Sequence, residues 1–275
     1  MMPLLARLPR RPVTAALAAA ALLLLPAAAP AAAAPGGYAA LGDSYAAGVA
    51  AGAYDAASGD CHRSSRAYPA LWAAAHPGTA FTDLACNGAD TQQVLDRQLP
   101  HLPAGTGTVT LTVGGNDLDF EDAVLACLQP LTTEDRCNRA LDHSAELLHD
   151  QLPGRLDRLL DAVDRAAPGA RVLVTGYPDL LTEHPAGACW TGTDSRRARF
   201  NRLTDETDDL IRRQATAHGA QFADPRPAFA GHGVCAGSNG EWITGIVLLN
   251  PWESFHPTAD GQARGYLPAV RAVLA

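Results

Sequence analysis

Hydrophobic positions along the chain follow two alternating rhythms. Short apolar or β-branched runs occupy Tyr38–Leu41, Phe81–Ala85, Val109–Val113, Val172–Val174 and Gln221–Ala223. Runs of this length, bounded by glycine, proline or aspartate, read as strands buried on both faces. Between them, apolar residues recur at helical spacing over Tyr68–Ala75, Thr91–Leu99, Ser144–Ala166, Ser195–His218 and Ala259–Leu274. Pro100 closes the second of these helices, Pro153 predicts a break or kink in the third, and Pro268 lies inside the last. Strands alternating with helices predict an α/β domain whose parallel sheet is covered on both faces. Ligands of such sheets bind beyond the carboxyl ends of the strands. Three polar corners then share one rim: Ser44 after the first strand, Asn87-Gly88 after the second, and Gly114-Gly115-Asn116-Asp117 after the third. Stretches 46–66, 118–140 and 177–194 read as loops that would wall the site.

The first residues stand apart from this rhythm. Arg7, Arg10 and Arg11 precede an Ala/Leu run from Ala15 to Leu25, and a small-residue tail follows. A charged start, a short apolar core and an A-x-A site form the signature of a secretory signal peptide. Residues 1–33 are expected to be removed, leaving a single domain over 34–275. The apolar core falls short of the roughly 20 residues that span a bilayer, so no stable membrane anchor is expected. The Arg10-Arg11 pair hints at the twin-arginine export route.

Charge and cysteine content narrow the picture. The formal net charge is −8, and loss of the three leader arginines takes it to −11, which argues against nucleic acid or anionic surfaces as partners. Every basic residue is Arg, as in a chain from a GC-rich genome. Six cysteines remain: Cys61, Cys86, Cys127, Cys137, Cys189 and Cys235. An even count in an exported chain implies disulfides, although six thiols allow 15 connectivities; sequential pairing is the working arrangement. No C-x-x-C pair suggests zinc or redox chemistry.

The candidate chemistry begins at Ser44 in A-A-L-G-D-S-Y-A-A-G. Alone, a hydroxyl at a strand-to-helix corner is as well explained by capping. A nucleophilic serine also needs a base, an orienting group for that base, and donors for the oxyanion. Of nine histidines, His256 stands out, in W-E-S-F-H-P just before the last helix. Pro257 holds it in an extended backbone that can lie on the rim. The other histidines read as solvated surface residues. Ser238 in A-G-S-N-G mimics a nucleophile elbow but lacks the strand before it and the helix after it. Asp43 and Asp117 read as turn and capping residues. A glycosidase carboxylate pair would call for aromatic sugar platforms, which a chain of 6% aromatic residues does not supply.

G-D-S-Y at 42–45, Gly88 in C-N-G-A-D, G-G-N-D at 114–117 and E-S-F-H-P at 253–257 resemble, in order and spacing, the four blocks of the SGNH/GDSL hydrolases. The likeness is greatest to the secreted, three-disulfide esterases and lipases of the Streptomyces type, and it runs the length of the expected mature chain. The resemblance implies a three-layer α/β/α sandwich, flavodoxin-like, with a parallel sheet of about five strands and a metal-free, cofactor-free acyl-enzyme mechanism. By it, Ser44 is the nucleophile and His256 the general base and acid. The Ser44 and Gly88 amides with the Asn116 side chain are the oxyanion donors. It also implies the pairs Cys61–Cys86, Cys127–Cys137 and Cys189–Cys235.

One position departs from the pattern, because Glu253 stands where most members carry Asp. Either its carboxylate orients His256, or a main-chain oxygen of Trp252, Glu253 or Ser254 does; the longer carboxylate would have to fold back to reach the ring. The expected protein is a secreted monomer acting on small-molecule or lipid esters. Polysaccharide O-deacetylase and phospholipase activities, and a non-catalytic binding module, are the alternatives, since one fold hosts many ester substrates.

Overall fold

A computed structural model describes residues 36–128, 132–237 and 240–275. The expected leader and Ser238 lie outside the described residues. Five strands form one sheet: β1 (Gly37–Gly42), β2 (Phe81–Asp83), β3 (Thr106–Thr112), β4 (Arg171–Thr175) and β5 (Gln221–Ala223). Their order is β2-β1-β3-β4-β5 and every pairing is parallel. The order reverses at β1, the chain's first strand, which puts a topological switch point beside β1 and β3, where crevices form in such sheets. Helices α2 (Tyr68–Ala74) and α9 (Leu267–Leu274) pack together as one layer, and α5 (Glu134–Asp150), α6 (Leu152–Ala166) and α7 (Asp194–Ala217) form the other. The shorter helices are α1 (Ser44–Ala47), α3 (Thr91–Gln93), α4 (Phe120–Leu128) and α8 (Arg226–Phe229). Among the described residues, no helix is long and apolar enough to cross a membrane.

The alternation of T-V-T-L-T-V explains how β3 can sit at the centre of the sheet. Val109 and Leu111 are fully buried hydrocarbon, while the threonine hydroxyls are buried but paired. Thr110 meets the Tyr38 hydroxyl at 2.8 Å, and Thr112 meets Tyr68 at 2.8 Å and Thr175 at 2.7 Å. A buried hydroxyl without such a partner would be destabilising by a few kcal/mol. Gly42 is required where β1 passes β3, because its φ is +129° and a Cβ there would lie 2.1 Å from the Thr112 carbonyl oxygen.

The structure redraws three of the expected elements. The stretch 118–140 is not a loop: α4 begins at Phe120 and α5 at Glu134, capped by the Thr133 hydroxyl on the Arg136 amide. Their polar first turns, Glu121-Asp122 and Glu134-Asp135, suit helix N-termini but mask the apolar periodicity. The long Ser144–Ala166 pattern is two helices that meet at Gln151, and Pro153 sits in the first turn of the second, where its missing N–H leaves no bond unmade. Thr91–Leu99 is one short α-turn followed by a π-helical turn, Val94–Gln98. That turn delivers the Gln98 amide to Gly42, donating to its carbonyl and accepting from its N–H, both at 2.8 Å.

Disulfides join Cys61 to Cys86, Cys127 to Cys137 and Cys189 to Cys235, the pairing that the resemblance implied. Cys61–Cys86 ties the 50–62 loop to the corner after β2, and Cys127–Cys137 staples α4 to α5.

Candidate active site

Ser44 opens α1 directly after β1, with Asp43 as the helix cap accepting the Tyr45 amide at 2.9 Å. Capping is thus the work of Asp43 and not of Ser44, whose hydroxyl is left free for other work. That hydroxyl lies 2.7 Å from Nε2 of His256, across 212 residues of chain. The other ring nitrogen, Nδ1, lies 2.8 Å from the Ser254 carbonyl oxygen. A carbonyl can only accept, so Nδ1 carries the proton and Nε2 is left with its lone pair towards Ser44. Desolvation of the ring, which packs beside Tyr45 with centroids 5.2 Å apart, lowers the His256 pKa from its ordinary 6.5 to about 4, against the opposing pull of the Ser254 carbonyl. The imidazole is thus neutral at neutral pH.

Glu253 points elsewhere. Its carboxylate accepts the Tyr54 hydroxyl at 2.5 Å, and the Tyr54 oxygen in turn accepts the Ala50 N–H at 2.9 Å. Tyr54 also packs edge-on against Trp252, whose ring stacks on His62 at 3.8 Å. The side chains of 252 and 253 thereby bind the His256 loop to the 50–62 loop.

Gly88 and Asn116 reach the same cleft from their own corners. Gly88 has φ +74°, a left-handed conformation that favours glycine even though a Cβ would meet open space there. Among the described residues, neither the Ser44 nor the Gly88 amide donates to a protein acceptor. Asn116 donates one side-chain N–H to the Ala89 carbonyl at 2.9 Å. Beside it, buried Asp117 accepts the Thr91 amide at 3.0 Å, the Thr91 hydroxyl at 2.6 Å and Arg155 at 3.1 Å. Asn116 and Asp117 together lock the G-G-N-D turn onto the N-G-A-D-T corner. Burial raises the Asp117 pKa, while Thr91 and Arg155 hold it down.

Tyr177, in T-G-Y-P after β4, is a part of the site that motif reading passed over. Its buried hydroxyl donates to Asp43 and accepts the Gly115 amide at 3.0 Å, bridging the nucleophile corner to the G-G-N-D turn. Its own amide is held by the buried Asp208 carboxylate at 2.8 Å. Burial pushes the Asp43 carboxyl up to about 7, and the Tyr177 hydroxyl and Tyr45 amide oppose that rise. The rim rule that found the first three corners applies equally to the fourth strand, so Tyr177 was open to discovery from sequence.

The cleft has a volume of about 480 Å³, and beyond the polar corners its walls are apolar: Phe120, Val124, Leu125, Leu128, Leu180 and Ile246 line it. Four of these belong to α4, the helix in the stretch read as loop. Among the described residues, no cluster of His, Cys, Asp and Glu is arranged to hold a metal ion.

The chain resembles known proteins over nearly all of its folded region. Residues 40–264 match the model of the GDSL-like lipase/acylhydrolase family. A lipase of Streptomyces rimosus is 42% identical over 237 residues, covering 86% of this chain and 85% of that protein. Lipase 1 of Streptomyces coelicolor is 43% identical, covering 85% of each. Among solved structures, the extracellular lipase of Streptomyces rimosus matches with a TM-score of 0.80 at 41% identity, over 86% of this chain and 99% of that one. Phospholipase A1 of Streptomyces albidoflavus matches with a TM-score of 0.81 at 40% identity, over 87% and 99%. With this sheet order, this disulfide set and likeness of this extent, the chain belongs to the GDSL-like lipase/acylhydrolase family and is a secreted carboxylic ester hydrolase.

Proposed function

We propose that the chain hydrolyses esters of medium or long acyl chains through a covalent intermediate on Ser44, as a monomer and after loss of residues 1–33. The observation that carries the reading is the relay from the Ser44 hydroxyl through His256 to the Ser254 carbonyl. In the first half-reaction the Ser44 oxygen attacks the ester carbonyl carbon and its proton passes to Nε2 of His256. The tetrahedral oxyanion is held by the Ser44 and Gly88 amides and the Asn116 side chain. Collapse breaks the ester C–O bond, and His256 returns the proton to the departing alcohol. Water then repeats the sequence on the acyl-enzyme, with His256 taking its proton and Ser44 leaving. The Ser254 carbonyl keeps the proton on Nδ1 and favours the imidazolium that forms at each step, the task usually given to a carboxylate.

The size and apolar walls of the cleft favour a lipid acyl group over the two-carbon acyl of a polysaccharide acetate. The names of the relatives, two lipases and a phospholipase A1, agree with that choice.

The reading is tested by treating the intact protein with a serine-directed phosphonate and mapping the adduct by mass spectrometry. The adduct is expected on Ser44, with hydrolysis lost in proportion. Because neutral His256 activates Ser44, the labelling rate is expected to fall only as pH drops well below 6.5, towards 4. Labelling elsewhere, or continued hydrolysis by fully labelled protein, would overturn the reading.

The Glu253 carboxylate, bound to Tyr54, is assigned to holding the loop. Glu253→Gln keeps an oxygen for Tyr54 and is expected to cost less than about tenfold in kcat/KM, as a charge acting outside the reacting atoms should. A loss of roughly 1000-fold with unchanged thermal stability would make the carboxylate itself the orienting group.

A further inference from the structure

The large exposed hydrophobic residues of this chain are not scattered. Among the described residues they are Leu125, Trp190, Ile246, Leu248 and Leu249, and each either lines the cleft, packs against a lining residue or lies within three positions of one in sequence. Leu125 and Ile246 line it directly. Trp190 covers the backbone at Gly245, where a Cβ would come within 3.0 Å of its ring, and lies 6.0 Å from Phe255, another lining residue. Leu248 and Leu249 stand 85% and 94% exposed between Ile246 and Pro251, both of which line the cleft. Single exposed leucines are ordinary on a folded protein, but a contiguous set confined to one site marks a surface that something covers.

The loop that carries the two leucines is held by its own hydrogen bonds. The Val247 amide donates to the Ser254 hydroxyl oxygen at 3.0 Å, Glu253 donates to the Asn250 carbonyl at 2.9 Å, and Ser254 donates to the Pro251 carbonyl at 3.0 Å. Glu253 is further tied to Tyr54. These bonds tie the two ends of the loop together on either side of Leu248 and Leu249, which it presents to solvent. The same backbone carries Ser254 and His256, so whatever receives the leucines is registered against the reacting atoms.

The chemistry of the cleft identifies the occupant. Its apolar wall includes Leu125 and Ile246, and the exposed leucines follow Ile246 by two and three residues; acyl esters that fill such a wall aggregate in water. No arginine lines the cleft, Glu121 does, and the chain carries a net charge of −8. An anionic surface would repel such a rim, whereas a neutral or zwitterionic one meets no such barrier.

We propose that Leu248 and Leu249, together with Trp190, form a docking surface for neutral or zwitterionic lipid aggregates. The leucines enter the acyl layer and set the cleft mouth against it, so that an acyl ester passes from the aggregate to Ser44 without crossing water. The proposal rests on the ester-hydrolase reading of the site.

The test compares the wild-type chain with Leu248→Ser/Leu249→Ser, a change confined to solvent-exposed positions outside the reacting groups and the cleft lining. Co-sedimentation with phosphatidylcholine vesicles is measured in the Ser44→Ala background, so that the vesicles are not consumed. Hydrolysis is measured in the active background on phosphatidylcholine vesicles and on a monomeric soluble acetate ester. Removing two leucines from the acyl layer is expected to weaken vesicle partitioning and vesicle hydrolysis by roughly 10- to 100-fold. Soluble-ester turnover is expected to stay within about twofold of wild type, as for other surface changes remote from the chemistry. Equal rates on vesicles, or equal loss on vesicles and soluble ester, would overturn the docking role. So would concentration-dependent dimers, seen by sedimentation, that the variant abolishes, since a second copy would then cover the patch. Tighter binding when phosphatidylglycerol replaces a third of the lipid would overturn the choice of a neutral surface. Failure of the ester-hydrolase reading has a separate signature: soluble-ester turnover that survives Ser44→Ala.

Discussion

Replacing Ser44 with alanine is expected to lower kcat/KM on a soluble ester by about 10⁴-fold or more, and His256→Ala by a similar factor. In the proposed mechanism the two residues act as one unit, because the hydroxyl is a poor nucleophile unless Nε2 takes its proton in the same step. The double variant is therefore expected to be no worse than either single variant, which a pair of independent contributions could not produce. Ser44 is 5% exposed and the alanine differs only by the oxygen, so folding should be unaffected. Helix α1 keeps its cap, since the side chain accepting the Tyr45 amide belongs to Asp43. Residual turnover above the uncatalysed rate is still expected from the oxyanion donors and the bound acyl chain. A loss under tenfold in either single variant, with the protein folded, would remove the pair from the mechanism.

The parts of this site that could be read from sequence are those written in short stretches. A strand, a glycine with a backbone only glycine favours, and a polar corner occupy ten residues, so Ser44, Gly88 and Asn116 could be set on one rim by topology alone. His256 was found because a proline fixes the chain beside it and the last helix follows. What escaped is long-range. The rim position of Tyr177 after β4 was legible, but its bond to Asp43 across 134 residues, like that of Tyr54 to Glu253 across 199, is one that no local pattern in either segment encodes. The Ser254 carbonyl escaped unique assignment for a different reason: every residue has one, so its selection depends on loop conformation and not on residue type. Phe255, at φ +60°, is part of that conformation. A bulky residue seldom adopts this region, and here it lies between the carbonyl and the ring it faces.

The fold shows the same division. The β-branched alternation of β3 and the proline-bounded helices were plain, whereas α4 was hidden by an acidic first turn and by a cysteine at a core position. That omission had a functional cost, because α4 supplies four of the apolar residues lining the cleft. The Thr91–Leu99 segment was placed correctly and shaped wrongly. Its π-helical turn carries Gln98 to both backbone groups of Gly42, a contact that periodicity does not reveal.

Among the three proposed oxyanion donors, Asn116 alone can be deleted without altering the backbone, and Asn116→Ala is expected to lower kcat by about 100- to 1000-fold while KM changes by no more than a few-fold. The asymmetry between the two constants follows from where the charge is. A ground-state ester oxygen carries little of it, whereas the tetrahedral intermediate concentrates it on that oxygen, so a preorganised amide helps mainly in the transition state. The main complication is the bond from Asn116 to the Ala89 carbonyl, whose loss could loosen the corner that carries Gly88. Asp117 guards against that, because its two bonds to Thr91 hold the same two segments and remain in the variant. A single neutral hydrogen bond is worth about 1 kcal/mol of stability, a few degrees in Tm for a domain of this size, and cannot by itself produce a 100-fold change in kcat. Gly88→Ala could not separate the two effects, because it leaves the amide in place and strains a left-handed backbone instead. Steady-state kinetics with a thermal melt therefore decide the case. A kcat loss below tenfold would leave the two amides as the whole oxyanion site, and a large fall in Tm would assign Asn116 to the corner rather than to the reaction.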